Sequence, residues 1–280
     1  MDEPVITPSF YESLAGILLE QAGLVLEDGK EYLIRSRLIP LLQRYEFGSF
    51  EELLQALERA ENRSLLTEVI EAMVTTETSF FRDFHPFETL RKAVLPELIA
   101  RRREKKALNI WCAASSSGQE PYSVAILLRE YFPELRDWKI LLSATDISRE
   151  MLERSRRGRY SQLEVNRGLP AALLIKWFKQ EGTEWQIDER IRESVTFSQL
   201  NLMQAWPAMP MWDLVLIRNV MIYFEPDAKR TILNKVARNL AKDGYLLLGG
   251  AETTFNLSDE FVRVEELKSG FYSLRGKGRD

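Results

Sequence analysis

The chain has 280 residues, of which 45% are hydrophobic and 29% are charged, and its formal net charge is −4. This length allows two domains, or one domain with an appendage, and the acidic balance argues against a general nucleic-acid-binding surface. The single cysteine excludes an intramolecular disulfide and a multi-cysteine zinc site, and the single histidine excludes a histidine metal cluster.

The N-terminal segment MDEPVITPSFYESL has neither the basic region nor the apolar run of a secretory signal. No later segment offers an uncharged run long enough to cross a membrane. We therefore expect a cytoplasmic protein with no direct membrane insertion.

Residues 1–75 are predicted to form an all-helical N-terminal domain. Apolar residues recur at three- and four-residue spacing in FYESLAGILLEQAG, KEYLIRSRLIPLLQRY, SFEELLQALERA and SLLTEVIEAMV. Ser49 and Ser64 are the predicted N-caps of the third and fourth helices, and Gly23 is the predicted C-terminal stop of the first.

Residues 76–107 are predicted to form a linker and a long amphipathic helix, HPFETLRKAVLPELIARRREKK. Over residues 108–280, short apolar segments then alternate with helices, and these segments are LNIWCAA, KILLSATD, VTFSQLN, WDLVLIRNV and GYLLLGGAE. Such near-continuous apolar runs are typical of parallel strands buried on both faces, so a doubly wound α/β domain is predicted. FYSLRG is a candidate last edge strand. The segment at about 160–195 breaks the rhythm, and we interpret it as a small insertion.

Polar side chains follow four of the predicted strands, at the sheet edge where open α/β sheets bind ligands. They are Ser117 and Glu120, Asp146, Asn201, and Arg218 with Asn219. Each alone also fits a helix cap or a turn, and Ser117 and Glu120 have capping-box spacing. Asp146 is suited to accept hydrogen bonds from both hydroxyls of a ribose. The first turn lacks G-x-G-x-x-G, which disfavours a dinucleotide and favours a nucleoside without a diphosphate.

Taken together, these motifs resemble the CheR family, S-adenosylmethionine-dependent methyltransferases that esterify glutamate side chains of bacterial chemoreceptors. The resemblance runs through TTETSFFRD, WCAASSSGQEPYS, ATDIS, RGLP, NL at 201–202, RNVMIYF and GYLLLGGAE. It implies a helical N-terminal domain joined to a Rossmann-like S-adenosylmethionine-binding domain, with a small antiparallel β-subdomain inserted. It also implies methyl transfer in chemosensory adaptation, with S-adenosylhomocysteine as product and no metal.

The resemblance also assigns roles to particular residues. Arg82 and Tyr223 are the implied catalytic residues, with Arg82 near the methionine end of the cofactor and Tyr223 facing the substrate. Glu120 is expected to contact the amino-acid portion and Asp146 the ribose. The implied cofactor-binding residues are Thr76, Thr78, Arg82, Glu120, Asp146, Asn201, Leu202, Arg218 and Asn219. The family often has Asn at the position of Thr76.

A glutamate side chain, with an unperturbed pKa of about 4.3, is already an anion at neutral pH. Its methylation needs no general base, which agrees with a chain that has one histidine. The implied partners are the cytoplasmic helices of methyl-accepting chemoreceptors, and the implied enzyme is a monomer that binds no nucleic acid. Arg35, Arg37 and Arg44 are either a solvated helix face or a docking surface for these acidic helices.

Two other functions stay open from the sequence. One is an S-adenosylmethionine-dependent methyltransferase with a different substrate. The other is a non-catalytic regulator that senses S-adenosylmethionine or a nucleotide on the same fold.

Overall fold

The computed structural model describes residues 4–276. Residues 1–3 and 277–280, at the outer ends of the predicted first and last domains, lie outside the described residues. The α-helices are α1 (Pro8–Ala22), α2 (Glu31–Arg44), α3 (Phe50–Leu57), α4 (Arg63–Met73), α5 (His85–Thr89), α6 (Leu95–Arg102), α7 (Gln119–Tyr131), α8 (Arg149–Arg157), α9 (Gln162–Asn166), α10 (Ala171–Trp177), α11 (Glu189–Arg192) and α12 (Pro226–Asn239). The strands are β1 (Ala107–Ala113), β2 (Lys139–Asp146), β3 (Arg159–Ser161), β4 (Phe178–Glu181), β5 (Glu184–Ile187), β6 (Val195–Gln199), β7 (Trp212–Ile217), β8 (Leu240–Leu248), β9 (Phe261–Arg263) and β10 (Phe271–Leu274).

Helices α1–α4 pack around a core of their own, in which Phe10, Leu14, Ile34 and Phe50 are fully or almost fully buried. Two predicted helix ends are confirmed. The Ser49 hydroxyl accepts the Glu52 N–H at the start of α3, and Gly23 ends α1 with a left-handed φ of 67°.

The predicted N-cap at Ser64 is wrong. The cap position is Asn62, two residues before Ser64, and it makes no side-chain cap bond; helix α4 begins at Arg63. A short 3₁₀ helix over Ala60–Asn62 leads directly into α4, so the chain reaches the helix already coiled and needs no extended capping residue.

The long helix predicted after the linker is present but interrupted and shorter. A π-helical segment, Leu90–Val94, lies between α5 and α6, and the helix ends at Arg102, before the predicted lysines. The apolar side of this helix, including Leu90 and Leu98, packs on the same core as β1.

The central sheet has the strand order β6-β2-β1-β7-β8-β10-β9. Strands β6, β2, β1, β7 and β8 are mutually parallel, whereas β10 is antiparallel to both of its neighbours. The doubly wound α/β prediction is confirmed. The first four residues of FYSLRG form β10, but this is not the edge strand, because β9 pairs with its outer side.

The predicted insertion is a three-stranded antiparallel sheet in the order β3-β5-β4, with α9–α11 around it. Tyr160 on β3 is fully buried, and its hydroxyl donates to the backbone carbonyl of Ser117, 2.7 Å away. The insertion is therefore anchored to the turn that follows β1.

Arg102, at the C-terminal end of α6, binds two carboxylates at the far end of the sheet from that turn. Its Nε lies 2.6 Å from Asp213 Oδ1, and its two terminal nitrogens contact both oxygens of Asp243 at 2.6 and 2.7 Å. Asp213 also accepts the Asn109 N–H at 2.8 Å. Hydrogen bonds to Asp243 and Asp213 raise the pKa of Arg102 and hold its charge. This ion cluster joins α6, β1, β7 and β8.

Cys112 in β1 is fully buried, and burial raises the pKa of its thiol well above the usual value. We expect alkylation by iodoacetamide at pH 8 to be at least about 100-fold slower in the folded protein than in urea, since the thiolate is reached only through opening of the sheet. Mass spectrometry of the alkylated chain measures both rates. Equal rates would show that Cys112 is accessible in solution.

Within residues 4–276, no helix is both long enough and apolar enough to cross a membrane.

Candidate functional site

A cleft of about 870 Å³, counting the part open to solvent, lies at the carboxyl ends of β1, β2 and β7. All of the predicted site residues line it, namely Thr76, Thr78, Arg82, Glu120, Asp146, Asn201, Leu202, Arg218, Asn219 and Tyr223. The structure therefore brings together side chains that are spread over about half of the sequence. The cleft is also lined by Ala22 and Leu24, at the end of α1, so the helical part supplies one wall.

The turn after β1 contains three residues in the left-handed region, and two of them, Ala114 and Ser116, line the cleft. Ala114, Ser116 and Gly118 have φ values of 54°, 49° and 91°. A Cβ at Gly118 would lie 2.9 Å from the Ser155 hydroxyl, so only glycine fits there. The Ser116 hydroxyl donates to the Thr76 carbonyl at 2.6 Å, which fixes the linker against the turn. Ser116 lines the cleft and was not predicted.

Asp146 ends β2 and is only 6% exposed. Its two oxygens accept the backbone N–H groups of Ser116 at 2.7 Å and Ser148 at 2.9 Å. Burial raises the pKa of Asp146, and these backbone hydrogen bonds oppose the rise. A carboxylate has about four lone-pair sites, so Asp146 keeps acceptor capacity for a ligand hydroxyl, which is consistent with the ribose-binding prediction.

Glu120 does not form the predicted capping box. The cap position of α7 is Gly118, without a side-chain bond, and the Glu120 carboxylate accepts a hydrogen bond from Arg218 Nη1 at 2.8 Å. Arg218 is almost fully buried and also contacts Asp83 Oδ2 at 2.8 Å. Burial raises the pKa of Glu120, while the Arg218 charge lowers it. The local cap is lost because a buried guanidinium is the stronger partner.

Arg82 lies in a strained loop. Phe81, Asp83 and Phe84 all have positive φ values, of 46°, 69° and 49°, which are rare for residues other than glycine. The loop is held by the hydrogen bond from Phe81 N to the Ser123 hydroxyl at 2.9 Å and by the Asp83–Arg218 contact. Arg82 is half-buried, and its Nη1 donates to the Glu77 carbonyl at 3.1 Å.

Tyr223 and Leu202 lie where the helical part meets the sheet. The Tyr223 carbonyl accepts the Val25 N–H at 3.0 Å, next to a bridge between Leu24 and Phe224. Asn201 lines the same wall, but both ends of its amide are used, by the Gln21 carbonyl at 2.9 Å and the Met203 N–H at 2.9 Å.

The predicted docking arginines are partly used within the helical part. Arg37 donates to the Met73 carbonyl at 2.6 Å and to the Thr75 hydroxyl at 3.3 Å. Burial lowers the pKa of Arg37, and the nearby Tyr223 phenol opposes that shift. Arg44 pairs with Glu68 at 3.1 Å, and Arg35 donates to the Pro4 carbonyl at 2.6 Å.

Two buried polar atoms of the cleft residues have no hydrogen-bond partner within residues 4–276, Nε of Arg218 and Oδ1 of Asn219. One is a donor and the other an acceptor, so they suit a ligand that carries both functions, as an amino acid does. Together with Asp146, the site offers groups for hydroxyls, an ammonium and a carboxylate. In the described part of the chain, no group of three or more His, Cys, Asp or Glu side chains is arranged to hold a metal ion.

Glu252 was missed by the sequence reasoning. It is 8% exposed, and its carboxylate accepts N–H groups from the segment that carries Arg218, Asn219 and Tyr223. The sequence gives only a weak signal, an acid shortly after the Gly249–Gly250 pair that follows β8.

Comparison with known proteins identifies the family. The model for the CheR methyltransferase SAM binding domain matches residues 76–269, and the model for the CheR methyltransferase all-alpha domain matches residues 10–74. A chemotaxis protein methyltransferase of Vibrio parahaemolyticus is 39% identical over 274 residues, which are 96% of this chain and 98% of that protein. Chemotaxis protein methyltransferase 1 of Vibrio cholerae is 38% identical over the same shares, and chemotaxis protein methyltransferase 1 of Pseudomonas aeruginosa is 38% identical over 91% of this chain and 94% of that protein.

Proposed function

Because this chain belongs to the CheR methyltransferase family, whose models match most of it, we propose that it methylates glutamate side chains of chemoreceptors with S-adenosylmethionine. Its relatives are named chemotaxis protein methyltransferases, and S-adenosylmethionine-dependent methylation in chemotactic adaptation follows from that membership. The choice of glutamate, and of the receptor's cytoplasmic helices as its carrier, is the finer part of the proposal. A cytoplasmic, monomeric enzyme fits that partner.

One observation carries the proposal. A single cleft is lined by a buried carboxylate at the end of β2, by residues with an unpaired donor and an unpaired acceptor, and by Arg82 and Tyr223. Asp146 would hold the ribose hydroxyls of the cofactor, and Arg218 and Asn219 its amino-acid portion. Glu120 keeps Arg218 in place through their 2.8 Å contact, and Leu202 and Asn201 would form the wall of the adenosine site. The fit is good because these groups match the functions of the cofactor.

When bound, S-adenosylmethionine supplies a methyl group on a positively charged sulfur, which a glutamate oxygen takes by displacement while the sulfur keeps the bonding electrons. The protein therefore has to align the glutamate and exclude water rather than remove a proton. Alignment of reactants can lower a barrier by roughly 7–11 kcal/mol in favourable cases. Arg82 and Tyr223 are suited to hold a carboxylate, Arg82 through paired N–H donors.

The function is tested by incubating the purified chain with methyl-labelled S-adenosylmethionine and chemoreceptor-containing membranes. The proposal expects label on the receptor that is released as methanol by mild base, since methyl esters are base-labile. Base-stable label would indicate a different acceptor group. Binding of the cofactor without any transfer would favour the non-catalytic sensor.

Arg82→Ala and Tyr223→Phe are expected to lower kcat about 10- to 100-fold while changing the Kd for S-adenosylmethionine less than about threefold. The reason is that both side chains are proposed to orient the substrate carboxylate rather than to hold the cofactor. Initial rates of label transfer and calorimetric titration measure the two quantities.

Arg136→Ala and Tyr131→Phe are matched controls, because Tyr131 is the last residue of α7, Arg136 lies in the short helix that follows it, and neither lines the cleft, so both substitutions should leave both quantities unchanged. Equal losses of cofactor affinity and kcat in Arg82→Ala and Tyr223→Phe would contradict these roles.

A further inference from the structure

The carboxylate of Glu252 accepts hydrogen bonds from successive backbone N–H groups of the loop that follows β7. Its Oε2 accepts the N–H of Asn219 at 2.9 Å and of Gly249 at 2.7 Å, and its Oε1 accepts those of Val220 at 2.9 Å and Met221 at 2.7 Å. Three successive N–H groups that converge on one anion form an anion-binding nest of the backbone. Here the anion is the protein's own side chain.

This nest sets the conformation of the residues that line the cleft. Asn219 has a left-handed φ of 59°, which costs energy for a residue with a side chain and so needs support from its surroundings. Met221 begins the 3₁₀ turn Met221–Tyr223, which carries the Tyr223 side chain into the cleft wall. The same carboxylate therefore fixes both Asn219 and the turn before Tyr223.

Gly249 makes room for this arrangement. A Cβ at Gly249 would lie 2.7 Å from Glu252 Oε2 and 2.8 Å from the Asn219 nitrogen. At the next residue, Gly250, a Cβ would meet nothing within 4 Å. An added methyl group is therefore expected to break the contact between Glu252 and the Asn219 N–H at Gly249 but not at Gly250.

We propose that Glu252 is a positioning residue that places Asn219 and Tyr223 in the cleft. The proposal rests on the proposed function for the roles of these two residues. A carboxylate is needed because all four of its partners are donors, and acceptance of N–H groups is what an ionised acid offers at both oxygens. In Glu252→Gln, one oxygen becomes an NH₂ group that faces two backbone donors, so two hydrogen bonds are replaced by repulsion.

The test compares two variants that disturb the nest with two that do not. Glu252→Gln and Gly249→Ala disturb it, and Gly250→Ala leaves it intact. Asp213→Asn makes the same carboxylate-to-amide change at a buried acid at the other end of β7, so it controls for general destabilisation. Glu252→Asp keeps the charge at a shorter reach and is expected to fall between wild type and Glu252→Gln.

The first readout is hydrogen exchange of the peptide covering 216–224, which does not depend on activity. We expect exchange at least about tenfold faster in Glu252→Gln and Gly249→Ala, and unchanged in Gly250→Ala and Asp213→Asn. The second readout is calorimetric titration with S-adenosylhomocysteine. We expect Glu252→Gln and Gly249→Ala to raise its Kd about tenfold, because the Asn219 contact is lost.

The third readout is a double-mutant cycle with Tyr223→Phe on the rate of methyl transfer. If Glu252 acts by placing Tyr223, Tyr223→Phe should lower the rate of methyl transfer much less in the Glu252→Gln background than in the wild type. Additive losses, or a loss in Asp213→Asn equal to that in Glu252→Gln, would overturn the proposal. Failure of the wild type to transfer methyl groups would count against the proposed function instead, and the exchange experiment would still decide the role of Glu252.

Discussion

Asp146→Ala is expected to raise the Kd for S-adenosylmethionine about 100-fold. The buried carboxylate is proposed to accept both ribose hydroxyls, and hydrogen bonds to a charged group contribute about 1.5 kcal/mol each at the low end, so their joint loss is about 3 kcal/mol. Because both carboxylate oxygens already bind backbone N–H groups of the cleft, the acceptor is held in place before the ligand arrives. Calorimetric titration with the cofactor and with S-adenosylhomocysteine measures the loss, which should be similar for both.

Ser148→Ala is the control for this substitution. Ser148 lies beside Asp146 and caps α8, where its hydroxyl accepts the Met151 N–H at 3.3 Å. Loss of this cap is expected to cost about 1 kcal/mol of stability without a change in cofactor affinity. If Ser148→Ala weakens binding as much as Asp146→Ala does, the effect of Asp146 arises from the local fold and not from a contact to the ribose.

Arg102→Met is expected to lower the free energy of unfolding by about 3 kcal/mol, the low end of what breaking a buried ion pair costs. The guanidinium is 13% exposed and is the shared partner of Asp213, which is 8% exposed, and of Asp243. Methionine fills a similar volume but leaves two carboxylates without their cation. We take the low end because Asp243 is 32% exposed and is able to regain water. Urea denaturation followed by tryptophan fluorescence reports the change, since Trp111 and Trp212 lie in the core of the α/β part.

Arg103→Met, at the next residue, provides the comparison. Arg103 is exposed after the end of the same helix, and its replacement should change stability by no more than about 0.5 kcal/mol. Equal urea midpoints for Arg102→Met and the wild type would mean that the ion cluster of Arg102, Asp213 and Asp243 makes no net contribution to stability. The double variant Arg102→Met with Asp213→Asn should be less unstable than the sum of the two single losses, because the pair shares one interaction.

The strand ends of the cleft were predictable because their signals are local. The apolar run in KILLSATD predicts a strand of the parallel sheet. The residue at the carboxyl end of such a strand lies at the ligand-binding edge of the sheet. Asp146 could be placed in this way without any knowledge of its neighbours. The assignment of individual roles to Arg82, Tyr223 and the cofactor-binding residues, and the division of the chain near residues 75 and 107, stay predictions.

Two of the failures depended on contacts between distant parts of the chain. Ser117 and Glu120 have the spacing of a capping box, but Glu120 pairs with Arg218, 98 residues away, and no local pattern contains that partner. Glu252 was missed for a similar reason. Its role depends on the backbone conformation of Asn219, and the sequence RNV at 218–220 does not predict that Asn219 has a positive φ. Likewise, β10 was placed at the edge of the sheet because the short strand β9 gives little apolar signal.

The backbone pairing of Leu24 and Val25 with Phe224 and Tyr223 restricts how such a chain can be recombined. A chimera that takes its helices from one relative and its sheet from another would join a foreign end of α1 to the segment that presents Tyr223. A Cβ at Gly23 would lie 2.9 Å from the Met203 side chain and 3.0 Å from the Phe224 ring, so the fit at this boundary depends on the residues on both sides. Exchange of the two modules should therefore preserve activity only when residues 21–25 and residues 201–224 come from the same relative. The two parts are separate in sequence, but their backbones pair beside Tyr223, so the helical part and the sheet are coupled at this point.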